Sequence, residues 1–212
     1  VTVILRLLEL SPDPNVTVLT LRLLRNIIGA HEYNRFAFRQ SNGHRLLAWI
    51  LFGQAQRTTE IFTPEVFENM LNLAVLGEGE DALIVDPEML HQLVLNHQVW
   101  RGSEKSGFQR WRFVIIILQW LSNLVDVDNL NVRLNLDGLQ RLGIIDWVLE
   151  MILTLAIDIP NEEEIISDVL AAALQFLHNI MKQRLVRRSL FELFKHILVS
   201  LPYEVDEDEV MG

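Results

Sequence analysis

The chain contains no cysteine. That excludes disulfide staples, thiolate nucleophiles and zinc–thiolate sites, and it fits a reducing compartment. Six prolines and ten glycines among 212 residues leave long stretches free to run as helix. No apolar run reaches the roughly 20 residues of a membrane span. Phe113 to Leu118 is short, and Ile144 to Ile159 is interrupted by Asp146 and Glu150, so both read as core helices. Positive charge is also scarce: 18 Lys and Arg against 28 Asp and Glu leave a net charge of −10. Such a balance disfavours general nucleic-acid binding, which relies on clustered cations. With no signal-peptide pattern in view, the Asn15-Val16-Thr17 sequon reads as a chance match.

What is present is apolar. Half of the residues are hydrophobic, enough to bury a large core and to rule out disorder as the ground state. Acid concentrates in Glu162-Glu163-Glu164 with Asp168 and in the stretch from Glu204 to Glu209. The chain opens on the already helical VTVILRLLEL and closes on the acidic VDEDEVMG, as expected of a segment cut from a longer chain. Residues 1–201 are expected to form a single domain, and 202–212 an acidic tail or linker.

Helical periodicity dominates. Val16, Leu19, Leu23, Asn26 and Ile27 mark one face at spacings of three, four, three and one. Punctuation recurs at Pro12-Asp13-Pro14-Asn15, Asn42-Gly43, Thr63-Pro64, Gly77-Glu78-Gly79, Asp86-Pro87, Gly102 to Gly107, Gly143 and Pro160-Asn161. Thr63-Pro64-Glu65 and Asp86-Pro87-Glu88 each set a capping side chain before a first-turn proline and a glutamate. No segment alternates convincingly with period two, so the pattern predicts nine or ten helices and no sheet.

An internal repeat is visible. Asn34-x3-Phe38-x4-Gly43-x3-Leu47 is echoed by Asn135-x3-Leu139-x3-Gly143-x3-Trp147. Each reads as a short helix, a glycine at a tight turn and a longer apolar helix. Closing helices starting near 43, 87, 143 and 185 give roughly four irregular repeats, near the ~40–47-residue period of armadillo and HEAT units. Each unit buries its apolar face only by stacking on the next. The expected fold is therefore all-α, an armadillo/HEAT-like α-solenoid; a globular helical bundle is the alternative.

Candidate chemistry is thin. LNHQVWRGSEKSGFQRWRF at 95–113 has a phosphate-loop glycine spacing from Gly102 to Gly107, but Phe108 and Gln109 stand where the motif needs Lys and Ser or Thr. Its cations and tryptophans suggest stacking on single strands. The stronger reading puts Trp100 and Trp111 in the core, with arginines keeping the flank wet. Asp126-Val127-Asp128-Asn129 starts like a calcium loop, yet Leu130 and Leu134 occupy ligand positions. There is no H-E-x-x-H and no G-x-S-x-G, and His91, His97, His178 and His196 are scattered. No enzyme, metal or cofactor site is expected. Lys182, Arg184, Arg187, Arg188 and Lys195 form a basic patch that either receives an acidic partner segment or anionic lipid, or pairs with the chain's own acidic runs.

HQVWRGSEKSGFQRWRFVIIILQWLSNLV and NVRLNLDGLQRLGIIDWVLEMIL together resemble the armadillo-like helical region of BEACH-domain proteins, the neurobeachin group. Trp100, Asn135, Leu139, Gly143, Ile144 and Ile145 carry the resemblance, and HEYNRFAFRQSNGHRLLAWIL is similar to the same family's Asn–Gly–Leu-Leu unit. The resemblance implies a non-catalytic, cytoplasmic, protein-binding scaffold segment in vesicle trafficking, membrane dynamics or autophagy, peripheral to membranes through its parent protein. A formin-like regulatory module, which binds a small GTPase or an autoinhibitory helix, and a helical-bundle enzyme with a dispersed site are the competing classes.

Overall fold

A computed structural model describes residues 2–58, 61–101, 107–159 and 163–183. These residues form eleven α-helices and one small hairpin. In chain order the elements are α1 (Thr2–Leu10), α2 (Pro14–Ala30), α3 (Glu32–Gln40), α4 (Gly43–Arg57), α5 (Pro64–Asn72), β1 (Val75–Leu76), β2 (Leu83–Ile84), α6 (Pro87–Leu90), α7 (Gln98–Arg101), α8 (Gly107–Leu124), α9 (Val132–Arg141), α10 (Ile144–Asp158) and α11 (Glu163–Lys182). Among the described residues, no helix is long and apolar enough to cross a membrane.

Helix starts follow the capping chemistry. Asp13 accepts from the Asn15 and Val16 N–H groups (2.7 and 3.2 Å), Thr63 from Val66 (3.2 Å) and Asp86 from Met89 (3.1 Å). Each cap precedes a proline in the first turn, where the missing N–H costs nothing.

Two rows of helices result. In one, α2 packs on α5, α5 on α8 and α8 on α11, so the row takes every third helix. In the other, α1 packs on α4, and α4 on α7 and the π turn before it. Aromatics fill the space between the rows. The rings of Phe67 and Phe113 stack 4.7 Å apart, and Trp100 meets both edge-on at 5.6 and 6.2 Å. All three side chains are buried. Such pairs add roughly 0.5–1.5 kcal/mol each beyond the area they bury.

Several expectations are corrected. A hairpin exists where no sheet was expected: Val75 pairs with Ile84 and Leu76 with Leu83, antiparallel. Two residues per strand are too few for alternation to register. The helix count exceeds nine or ten because Asp86-Pro87 does not open one long helix. Helix α6 passes into a π turn at His91–Leu95, and α7 follows after Asn96 and His97. The buried face of α2 is Thr17, Val18, Thr20, Leu21, Leu24 and Ile28, whereas Leu19 and Leu23 are 64% and 46% exposed. With apolar residues nearly all round this helix, neighbours α1, α3 and α5 select the face.

The repeat register also shifts by one. Asn42, not Gly43, takes the left-handed turn (φ 53°), matching Gly143 (φ 66°). Asparagine tolerates this conformation better than other non-glycine residues. Gly43 serves packing instead: a Cβ there would lie 2.5 Å from the Phe38 ring. The corrected alignment keeps one offset throughout, with 34, 38, 42 and 46 matching 135, 139, 143 and 147.

Candidate functional site: a carboxamide-lined groove

Helices α2, α5 and α8, with the β1–β2 hairpin, enclose an open groove of about 550 Å³. Helix α2 supplies Arg22, Arg25 and Asn26, and α5 supplies Glu68, Asn69 and Asn72. Helix α8 supplies Trp120 and Asn123, while Gly77, Glu78 and Gly79 close one end. Gly77 is required there: its φ is 76°, and a Cβ would stand 2.5 Å from the Asp81 carbonyl oxygen.

The polar groups of the groove divide into two sets. Arg22 donates to Glu65 Oε1 at 2.8 Å and to Asn69 Oδ1 at 3.3 Å, and Asn69 donates to the Glu65 carbonyl at 2.8 Å. Both terminal nitrogens of Arg25 reach Glu78 Oε1 at 3.3 Å. These ion pairs are solvent-exposed, so each contributes only about 0–1 kcal/mol and opens readily. The second set is unused. Among the described residues, the carboxamides of Asn26, Asn72 and Asn123 and the Trp120 indole N–H make no hydrogen bond. Three groups that both donate and accept therefore stand beside a half-buried aromatic face. No histidine, serine or lysine lines the groove.

The asparagines of the repeat do different work. Asn135 is fully buried. Its Oδ1 accepts from Ile84 N–H at 2.8 Å, and its Nδ2 donates to the Ala82 and Leu124 carbonyls at 2.9 Å each. Asn34 makes the matching bond in the other copy of the motif, from Nδ2 to the Ile27 carbonyl at 2.8 Å. In both places a carboxamide satisfies an otherwise orphaned carbonyl in the last turns of the preceding long helix. Leu139 is buried beside Asn135. Asn129 and Asn131 donate to the Ala82 and Asp81 carbonyls at 3.1 and 2.9 Å. The calcium-loop-like stretch is thus a set of turns gripping the hairpin.

Trp100, Trp111 and Trp147 are structural. Trp100 Nε1 donates to the Val94 carbonyl and Trp147 Nε1 to the Leu95 carbonyl, both at 3.0 Å. Trp111 is fully buried, with the Arg110 guanidinium 5.0 Å from its ring centroid. Arg110 does not keep a wet flank. It is 4% exposed and pairs with Asp158 at 2.5 Å, because a buried cation must be compensated.

A second charged cluster ties α3 and α4 to α6. Asp86 is 1% exposed, and its Oδ2 accepts from Arg39 Nε and His44 Nε2, both at 3.1 Å. Burial pushes the Asp86 carboxyl up. Hydrogen bonds from His44 and Arg39, the charge of His44 and the Met89 N–H outweigh that burial and hold it below its ordinary value.

Of the basic patch, Lys182 is exposed in the last turn of α11. Arg184, Arg187, Arg188, Lys195, Glu162 and the tail 202–212 lie outside the described residues. Glu163 and Glu164 sit at the opposite end of α11 from Lys182, roughly 28 Å away along the axis. Lys182 therefore cannot pair with them on the same helix.

The groove went unread in the sequence, although a signal for it exists. An asparagine followed by two apolar residues recurs near the ends of the helices in one row, at Asn26, Asn72, Asn123 and Asn179. The first three line the groove. The fourth is spent internally, donating to the Ser122 carbonyl at 3.2 Å. Compared with known proteins, the chain matches no family model and no solved structure.

Proposed function

We propose that the chain is a non-catalytic protein-interaction module, an armadillo-like α-solenoid whose groove between α2, α5 and α8 holds an extended segment of a partner protein. The observation that carries this reading is the set of free carboxamides on Asn26, Asn72 and Asn123 beside Trp120. A carboxamide offers one donor and one acceptor side, the same pair that a peptide unit presents. Spaced along a groove, such groups suit the main chain of an extended segment, and the indole face suits an apolar side chain or proline. A row that takes every third helix is the stacking expected of a three-helix repeat. The groove's cations already have acidic neighbours, so its ligand needs no strong charge.

The resemblance to the helical region of BEACH-domain proteins supplies the proposed setting, a cytoplasmic scaffold in vesicle trafficking, membrane dynamics or autophagy. The test is calorimetry on linear peptides enriched from a random library on the intact chain. Trp120→Ala is expected to cost about 2 kcal/mol of binding, and Asn72→Ala or Asn123→Ala about 1 kcal/mol each. N-methylation of central peptide units should cost more than alanine substitution of the same residues. Peptides whose affinity ignores all three variants would overturn the reading.

A further inference from the structure

A second surface, independent of the groove, lies on α4. Leu46, Trp49 and Phe52 follow one another every third residue and are 42%, 64% and 40% exposed. The opposite side of the same helix, with Leu47, Ile50 and Leu51, is buried against α1, α3 and α7. Leaving these side chains in water forfeits roughly 25 cal/mol for each Å² of apolar surface. Large aromatics exposed in this way are the usual anchors of interfaces.

Trp49 stands between two recesses. The larger, about 240 Å³, lies between α4 and the segment from the π turn to α7, and is walled by Ala48, Phe52, Gln92 and Val99. The smaller, about 70 Å³, lies between α1 and α4, with Gly53 in its wall. A Cβ at Gly53 would meet nothing within 4 Å. Glycine inside a helix costs about 0.5–1 kcal/mol relative to alanine. Among the described residues, packing does not call for it here. What it provides is clearance for something approaching from outside.

Charge selects the occupant. Among the described residues, Arg45 beside the larger recess has no ion-pair partner. Arg57, in the smaller recess, donates to the Glu9 carbonyl at 3.2 Å, while the Glu9 carboxylate is held by Arg6 at 2.5 Å. Among the described residues, the stripe is therefore bordered by two cations without an ion-pair partner, on a chain of net charge −10. We infer that α4 docks an amphipathic helix of a partner protein whose apolar face is bordered by Asp or Glu. The stripe runs along roughly 9 Å of helix axis, and the large recess accepts one anchor side chain of the i, i+3/i+4 kind that helices present to grooves. A second copy of the chain would bring its own net charge of −10, a weaker match than an acid-flanked helix alone.

The inference is tested with a displayed library of single-helix peptides, randomised on one face and at its flanks, panned on the intact chain. Enriched helices should carry Asp or Glu beside their apolar face. Their affinity should fall about thirtyfold or more with Trp49→Ala, the loss expected of an aromatic hot spot. Gly53→Leu, which fills the small recess and removes no contact, should weaken them at least tenfold. Arg45→Glu with Arg57→Glu should shift enrichment towards Lys and Arg flanks. Trp49 is mostly exposed, so Trp49→Ala should melt as the parent does, Gly53→Leu should melt no lower, and Trp120→Ala in the groove should leave this binding unchanged. Neutral or basic flanks in the enriched set, affinities that ignore Trp49 and Gly53, or Trp49-dependent self-association in place of helix binding would each overturn it.

Discussion

At the scale of single residues, buried polar groups in this chain are used as fasteners. Asp86 is the clearest case, since one carboxylate collects Arg39, His44 and the Met89 N–H at the point where three helices meet. Its lowered pKa fixes the sign of a pH effect. A carboxyl more acidic in the folded than in the unfolded chain stabilises the fold above its unfolded value of about 3.9, and this contribution fades as pH falls through the folded value. Asp86→Asn should therefore cost about 2 kcal/mol at pH 7, the loss of a buried carboxylate's hydrogen bonds. The deficit should narrow as pH drops below about 4. Urea unfolding of parent and variant at pH 7 and pH 3 checks this, and an equal deficit at both would contradict it.

At the scale of elements, the hairpin depends on its neighbours more than on itself. Two two-residue strands are far below the size at which a sheet is stable alone. Asn135 joins β2, the residue before it and the end of α8 through three bonds at 2.8 to 2.9 Å. Asn135→Ala leaves the Ile84 N–H and the Leu124 carbonyl unmet in the core, with Asn129 still on the Ala82 carbonyl, and should cost about 3 kcal/mol. Asn34→Ala loses one bond at a half-buried position and should cost about 1 kcal/mol. Denaturant midpoints for the two variants test the contrast. The position of these asparagines was visible in the sequence as a repeat, because a carboxamide is needed wherever a long helix ends under a short one. The hairpin they hold was not visible, since Val75-Leu76 and Leu83-Ile84 read equally well as helix ends. The turn register was misplaced because Asn42 does in the first copy what Gly143 does in the second.

At the scale of the whole molecule, the helices align in rows, and each row leaves something on its surface. The row of α2, α5 and α8 leaves free carboxamides around Trp120, and the other row leaves an apolar stripe on α4. Helix content and cap positions were readable because each depends on residues adjacent in sequence. The groove was not, because Asn26, Asn72, Asn123 and Trp120 become neighbours only when the helices stack, and each alone is an ordinary polar or aromatic residue on a helix. The buried face of α2 differs from the one the spacing marked for a related reason: a helix with apolar residues on nearly every side carries no mark of which side its partners will take. The most direct test of the groove is a heteronuclear NMR titration with the tightest linear peptide, following side-chain amides and indoles. The account predicts that the resonances of Asn26, Asn72, Asn123 and Trp120 shift together and saturate with one affinity, while buried Asn129 and Asn135 stay in place. Saturable binding that leaves those four resonances unmoved, or moves only Trp49 on α4, would contradict it.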